Sequence, residues 1–284
     1  MKNILITGSK GQLGSEIKDI SDNYPEYRFF FTDIDELDLT DKHAVTTFFQ
    51  DNKIDICINC AAYTAVDKAE DEKVPALKIN RDTVETLAKN CNDHNSLLIH
   101  ISTDYVFNGR NYKPYSEEDI PSPESYYGLT KLKGEKAAFA NNNNTVIIRT
   151  SWLYSKYGNN FVKTMLRLGN EKDKIGVVAD QIGTPTYAGD LATAIMEIVK
   201  QNNQPIKEIY HYSNEGAISW YDFAKAVMKI KNLNCKVNPI ESKDFPAKAN
   251  RPFYSVLNKS KIKKDFNMEI PYWLDSLKKV LTQL

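Results

Sequence analysis

The chain has 284 residues, 42% of them hydrophobic and 26% charged, which suits a globular protein with core enough for two domains or one large α/β unit with an annex. Lys+Arg and Asp+Glu stand at 37 each, so no net field draws the protein to nucleic acid or to a membrane surface. No stretch approaches a membrane span, and the apolar run in MKNILITGSK is too short for a secretion signal.

Strands are expected at 3–7 (NILIT), 27–32 (YRFFFT), 54–59 (IDICIN), 97–102 (LLIHIS) and 145–150 (TVIIRT), short apolar runs rich in β-branched and aromatic residues. Between them the helical period predicts helices near 12–21, 42–52, 74–93 and 125–140. Strand–helix alternation of this kind implies a doubly wound, Rossmann-type parallel sheet with helices on both faces, over residues 1–150. From 151 to 284 the alternation loosens. Helices are expected near 160–169, 188–200, 219–231 and 273–282, separated by loops such as QIGTPTYAG. That half reads as a smaller mixed α/β domain that completes a site, with some later segments returning to the first domain. The basic run KSKIKK at 259–264 reads as a solvated helix face. Cys57 and Cys60 form a C-x-x-C, but three residues along a strand they face opposite ways and cannot share a metal or a disulfide. With Cys91 and Cys235 they read as structural thiols of a reducing cytoplasm. His43, His94, His100 and His211 show no ligand spacing, so no metal is expected. His100, inside a strand, reads as packed.

Three features carry chemistry. TGSKGQLG (7–14) follows the first strand and opens the first helix. Gly8, Gly11 and Gly14 there let the backbone turn tightly and approach a pyrophosphate at the positive end of that helix. Asp33 ends the second strand, placed for the hydroxyls of an adenosine ribose, while Lys10 inside the loop offers a cation to a 2′-phosphate. NADH and NADPH are therefore both expected as cofactors. Ser102 and Thr103 emerge at the carboxyl end of the fourth strand, the edge where ligands bind in such sheets. In SYYGLTKLKGEK (125–136), Tyr127 and Lys131 share a helix face one turn apart, whereas Tyr126 is paired with Thr130.

TGxxGxxG, NCAAYT, STDYVF and YxxxK in this order resemble the extended branch of the short-chain dehydrogenase/reductase family. Within it, NCAAYTAVDKAE (59–70), RTSWLY (149–154), GNNFVKTMLRL (158–168), DQIGTPT (180–186), SWYDFA (219–224) and RPFYSVLN (251–258) are similar to the dTDP-4-dehydrorhamnose reductases almost end to end. That resemblance implies hydride transfer from NADPH or NADH to the C4 keto carbon of a dTDP-sugar. Tyr127 would be the acid, its pKa lowered by Lys131, and Thr103 would bond the sugar oxygen. Gly11, Gln12 and Leu13 would line the pyrophosphate, Asp38 and Leu39 border the adenine, and Ala61, Ala62 and Thr64 flank the cofactor. Asp104 and Trp152 would face the nucleotide sugar, and Arg251 would meet its diphosphate. Two other readings stay open: an NAD-dependent nucleotide-sugar epimerase or dehydratase, and a non-catalytic subunit related to that of methionine adenosyltransferase. Gln283 stands where the resemblance calls for a metal-binding glutamate, which leaves a homodimer open without a metal bridge.

Overall fold

Residues 1–202 and 204–284 are described by a computed structural model. The five expected runs form β1 (Lys2–Thr7), β2 (Tyr27–Thr32), β3 (Ile56–Asn59), β4 (Leu97–Thr103) and β5 (Thr145–Thr150). A sixth strand, β6 (Lys207–His211), joins them from far along the chain. The sheet order is β6-β5-β4-β3-β1-β2, and every pair is parallel. Alternate residues feed two cores, as the strand period requires. Ile4, Ile6, Ile58, Ile99 and Ile148 face one side; Leu5, Cys57 and Leu98 face the other.

The longer helices are α1 (Gln12–Ile20), α2 (Lys42–Asn52), α3 (Thr83–Asp93), α4 (Tyr126–Asn141), α5 (Phe161–Glu171), α6 (Ala188–Gln201), α7 (Trp220–Ile230), α8 (Ser260–Phe266) and α9 (Trp273–Leu281). Residues of α1 and α6 cover the first face, and residues of α2 and α3 cover the second. A separate core joins α5, α7 and α9 around Val162, Phe223, Val227 and Leu277. Beside it Lys174–Val178 and Lys236–Ile240 pair as parallel strands, which the looser pattern beyond 150 did not announce.

Two expectations are corrected. The helix expected over 74–93 is broken into Lys73–Leu77, a π turn at Lys78–Asp82, and α3. The wider turn lets Asn80 point inward, where it is 1% exposed. The run 259–264 is not a solvated face. Ile262 is fully buried in the sheet core, and Lys259 is buried with its ammonium 3.4 Å from both the Asn214 carbonyl and Glu215.

Candidate active site

Strand order reverses between β1 and β3, and in open parallel sheets ligands bind beyond the carboxyl ends of the strands at such a point. A cavity of about 940 Å³ opens there, lined by the segments after β1, β3, β4 and β5. Gly8 turns the chain with φ +62°, and a Cβ on it would lie 2.8 Å from the Ala61 backbone. Gly14 lets α1 close on the loop, since a Cβ would meet the Gly8 carbonyl at 2.5 Å. Gly11 caps α1 without a side chain, so the N–H groups of the first turn, at Gln12, Leu13 and Gly14, have no intrahelical partner. Uncapped donors at a positive helix end suit a pyrophosphate. Gly8, Gly11, Gln12 and Leu13 line the cavity; Gly14 acts behind it.

On the opposite wall stand Thr103, Asp104, Tyr127 and Lys131. Ser125 caps α4 by accepting from the Gly128 N–H, which fixes where the helix starts and turns Tyr127 and Lys131 to the same side. The Thr103 hydroxyl donates to Asp104 Oδ1 at 3.0 Å and accepts from the Tyr105 N–H at 3.2 Å. Asp104 is 2% exposed, its Oδ2 has no hydrogen-bond partner among the described residues, and burial pushes its carboxyl up to about 6.

Tyr127 corrects the expected electrostatics. Burial dominates, pushing the phenol up to about 12, with the Thr103 hydroxyl opposing and the Asp104 charge adding to the rise. Lys131 does not set that balance. Its ammonium is buried, donates to the Ile101 carbonyl at 2.6 Å, and is pushed down to about 8 by desolvation, with Glu135 and Cys60 opposing. Ser102 lines the cavity, but its hydroxyl donates to Glu135, which also holds Arg149 in a buried two-pronged ion pair.

Asp33 lies at the rim of the cavity, where its carboxylate accepts from the Lys10 and Ile34 backbone N–H groups. The Lys10 ammonium is not free to await a phosphate. It is paired with Asp35 at 2.8 Å and Glu36 at 2.9 Å, which hold its pKa above the ordinary range. Asp38 and Leu39 line a smaller hollow of about 100 Å³ that shares Gly8, Asp33, Ile34, Ala61 and Ile79 with the main cavity. Ala61, Ala62 and Thr64 form the wall after β3, and Trp152 the wall after β5. Arg251 is not brought to the wall. Its guanidinium grips Asp67, at 2.6 Å for the shorter contact, and neighbours Tyr105, which does line the cavity. His100 is buried and bonded to Asn59.

Two positioning residues escaped sequence reasoning. Asn80 bonds both backbone groups of Tyr63 and the Thr130 hydroxyl, tying the Ala61–Thr64 wall to the helix that bears Tyr127. Gly134 makes room for it, because a Cβ there would lie 2.1 Å from the Asn80 carbonyl. Asn160 caps α5 and donates to Gln12 Oε1 at 2.9 Å, joining the later half of the chain to the glycine loop. A KVPALKINRD helix carries no local sign of the inward turn, although Asn160 could have been read as an N-cap before FVKTML.

A glycine loop at the switch point of a parallel sheet, facing a Thr–Tyr–Lys wall, defines an oxidoreductase of the extended short-chain dehydrogenase/reductase class. The family model described as the RmlD substrate binding domain matches residues 1–284, and the chain belongs to that family. Among curated relatives, the dTDP-4-dehydrorhamnose reductase of Aggregatibacter actinomycetemcomitans is 40% identical, the match covering 99% of this chain and 98% of that one. The crystal structure of a dTDP-4-dehydrorhamnose reductase from Clostridium acetobutylicum superposes with a TM-score of 0.94 at 40% identity, covering 99% of this chain and 100% of that one. The Bacillus anthracis dTDP-4-dehydrorhamnose reductase, solved in complex with NADP, gives 0.95 at 39% identity over 100% of both chains.

Proposed function

We propose that this chain is an NAD(P)H-dependent reductase that converts the C4 keto group of dTDP-4-dehydro-L-rhamnose to the alcohol of dTDP-L-rhamnose. The observation that carries the reading is the convergence of Thr103, Tyr127 and Lys131 on the wall opposite the glycine loop. The names of the relatives support the substrate, and the NADP in the Bacillus anthracis structure supports NADPH as a cofactor beside NADH. Gly8, Gly11, Gln12, Leu13 and Gly14 would hold the pyrophosphate and Asp33 the adenosine ribose. Asp38 and Leu39 would border the adenine, and Ala61, Ala62 and Thr64 the rest of the cofactor.

When bound, NAD(P)H supplies a hydride to the C4 carbon. Tyr127 delivers the proton to the oxygen that gains charge. A phenol at about 12 is fully protonated at neutral pH, which makes it a loaded donor, and Lys131 would bind the nicotinamide ribose. Thr103, beside Tyr127, would hydrogen-bond the sugar oxygen. Asp104 has a spare oxygen for a sugar hydroxyl, and Trp152 offers a flat wall. Arg251 reaches the diphosphate by exchanging Asp67 for phosphate oxygens, one anion for another. The four free thiols support work in the reducing cytoplasm, and the balanced charge gives nucleic acid no role.

The test is oxidation of NADPH or NADH that depends on dTDP-4-dehydro-L-rhamnose, one cofactor per sugar, with dTDP-L-rhamnose as product. An epimerase or dehydratase regenerates its cofactor in place. Stoichiometric NAD⁺ in the purified protein, with sugar turnover needing no added NAD(P)H, would overturn the reductase reading.

A further inference from the structure

Trp152 lines the cavity with a left-handed backbone, φ +48°, a conformation costly for a bulky residue and kept only where the surroundings impose it. The surroundings here are specific. Its ring lies face to face with Trp220, centroids 3.6 Å apart and planes 12° apart. Unconstrained aromatic pairs favour offset or edge-on contact over a full sandwich. Gly183 presses on the same ring, since a Cβ there would lie 2.7 Å from Trp152 Cε2 and Cζ2. Trp220 in turn cannot drift. It is the first residue of α7, behind a capping box of Ser219 and Asp222, and it packs on Phe161 at 4.7 Å. Trp220 itself does not line the cavity.

Resting on the reductase reading of this cavity, we propose that Trp220 is a positioning residue for the nucleotide-sugar subsite: by stacking on Trp152 it fixes that ring as the surface against which the substrate lies. A single tryptophan on a strained turn would swing between rotamers and lose ordering entropy on each binding event. With one face backed by a second indole, the ring is set before the substrate arrives. The effect belongs to substrate binding, because Trp220 stands outside the cavity lining and acts on it through the Trp152 ring.

The test compares Trp220→Leu, Trp220→Phe and Trp152→Leu, using dTDP as the binding probe and NADPH as the control ligand. Trp220→Leu should raise the sugar-nucleotide KM and the dTDP Kd by about threefold to tenfold, the worth of one aromatic pair. Its kcat and NADPH Kd should stay essentially unchanged. Trp220→Phe, which keeps a ring in the stack, should recover most of the loss. The circular-dichroism couplet of two stacked indoles should vanish in all three variants and shift in the wild type when dTDP binds. Loss of the couplet in Trp220→Leu with unchanged KM and Kd would overturn the proposal, as would a loss of NADPH affinity equal to the loss for dTDP. If Trp152→Leu binds dTDP like the wild type, the proposal fails while the reductase reading stands. A wild-type protein that oxidises no NAD(P)H with the sugar would strike that reading instead.

Discussion

Replacing Lys131 by methionine should stabilise the folded chain while stopping turnover. The ammonium is 2% exposed and has one bond, to the Ile101 carbonyl at 2.6 Å, and burial lowers its pKa from 10.5 to about 8. Between those values the unfolded chain binds more protons than the folded one, so stability rises with pH across that window. Below about 8 the full cost of the buried charge is present, and above 10.5 none of it remains. At about 1.4 kcal/mol per pKa unit the cost is roughly 3 kcal/mol. Methionine removes the charge and keeps the apolar stem, while the lost bond to Ile101 takes back about 1 kcal/mol. Lys131→Met should therefore gain roughly 2 kcal/mol at pH 7, most of it gone by about pH 10. Urea midpoints of variant and wild type at the two pH values measure this, provided the slopes match. In the wild type, kcat/KM for the cofactor, which reports the free enzyme, should fall as pH rises through about 8. A variant less stable than the wild type by the same amount at both pH values would refute the reasoning.

Tyr127→Phe should lower kcat by about 10²–10⁴-fold, the usual contribution of a positioned acid. It should leave cofactor affinity alone, because phenylalanine keeps the edge contact with Tyr105. Tyr126→Phe should do far less, and equal rates in the two variants would move the acid elsewhere. Asp33→Ala should raise the KM for NADH and shift the kcat/KM ratio toward NADPH, since one of the anions facing a 2′-phosphate is gone; an unmoved ratio would take Asp33 out of the site. Asn80→Ala leaves the Tyr63 backbone groups unpaired and should cost about 1–3 kcal/mol in urea unfolding, with a fall in kcat as the wall after β3 loosens from α4.

Much of this was readable in one dimension. The strand runs were found almost to the residue, because a β-strand's period and a parallel strand's double burial are written in consecutive side chains. The glycine loop could be placed for the same reason: the strand before it and the helix after it are both local patterns. Tyr127 and Lys131 share a face by helix geometry alone. The π turn at Lys78–Asp82 was out of reach, because Asn80 turns inward only to meet Tyr63 and Thr130, partners supplied by other segments.

What the sequence determined by itself was the inventory: the periods, the caps, the turn glycines and the chemistry of each side chain, all set by neighbours within a few residues. The tertiary structure alone decided which groups meet and in what medium. It returned Lys207–His211 to the sheet beside β5, gave Arg251 to Asp67 and Lys10 to Asp35 and Glu36, and stacked Trp220 on Trp152. It also fixed the sign of the pKa shift at Tyr127. Spacing predicts a cation one turn away that would lower it, but desolvation depends on how many atoms from distant segments crowd the phenol, and here burial sets the shift while the nearby charge, Asp104, adds to it.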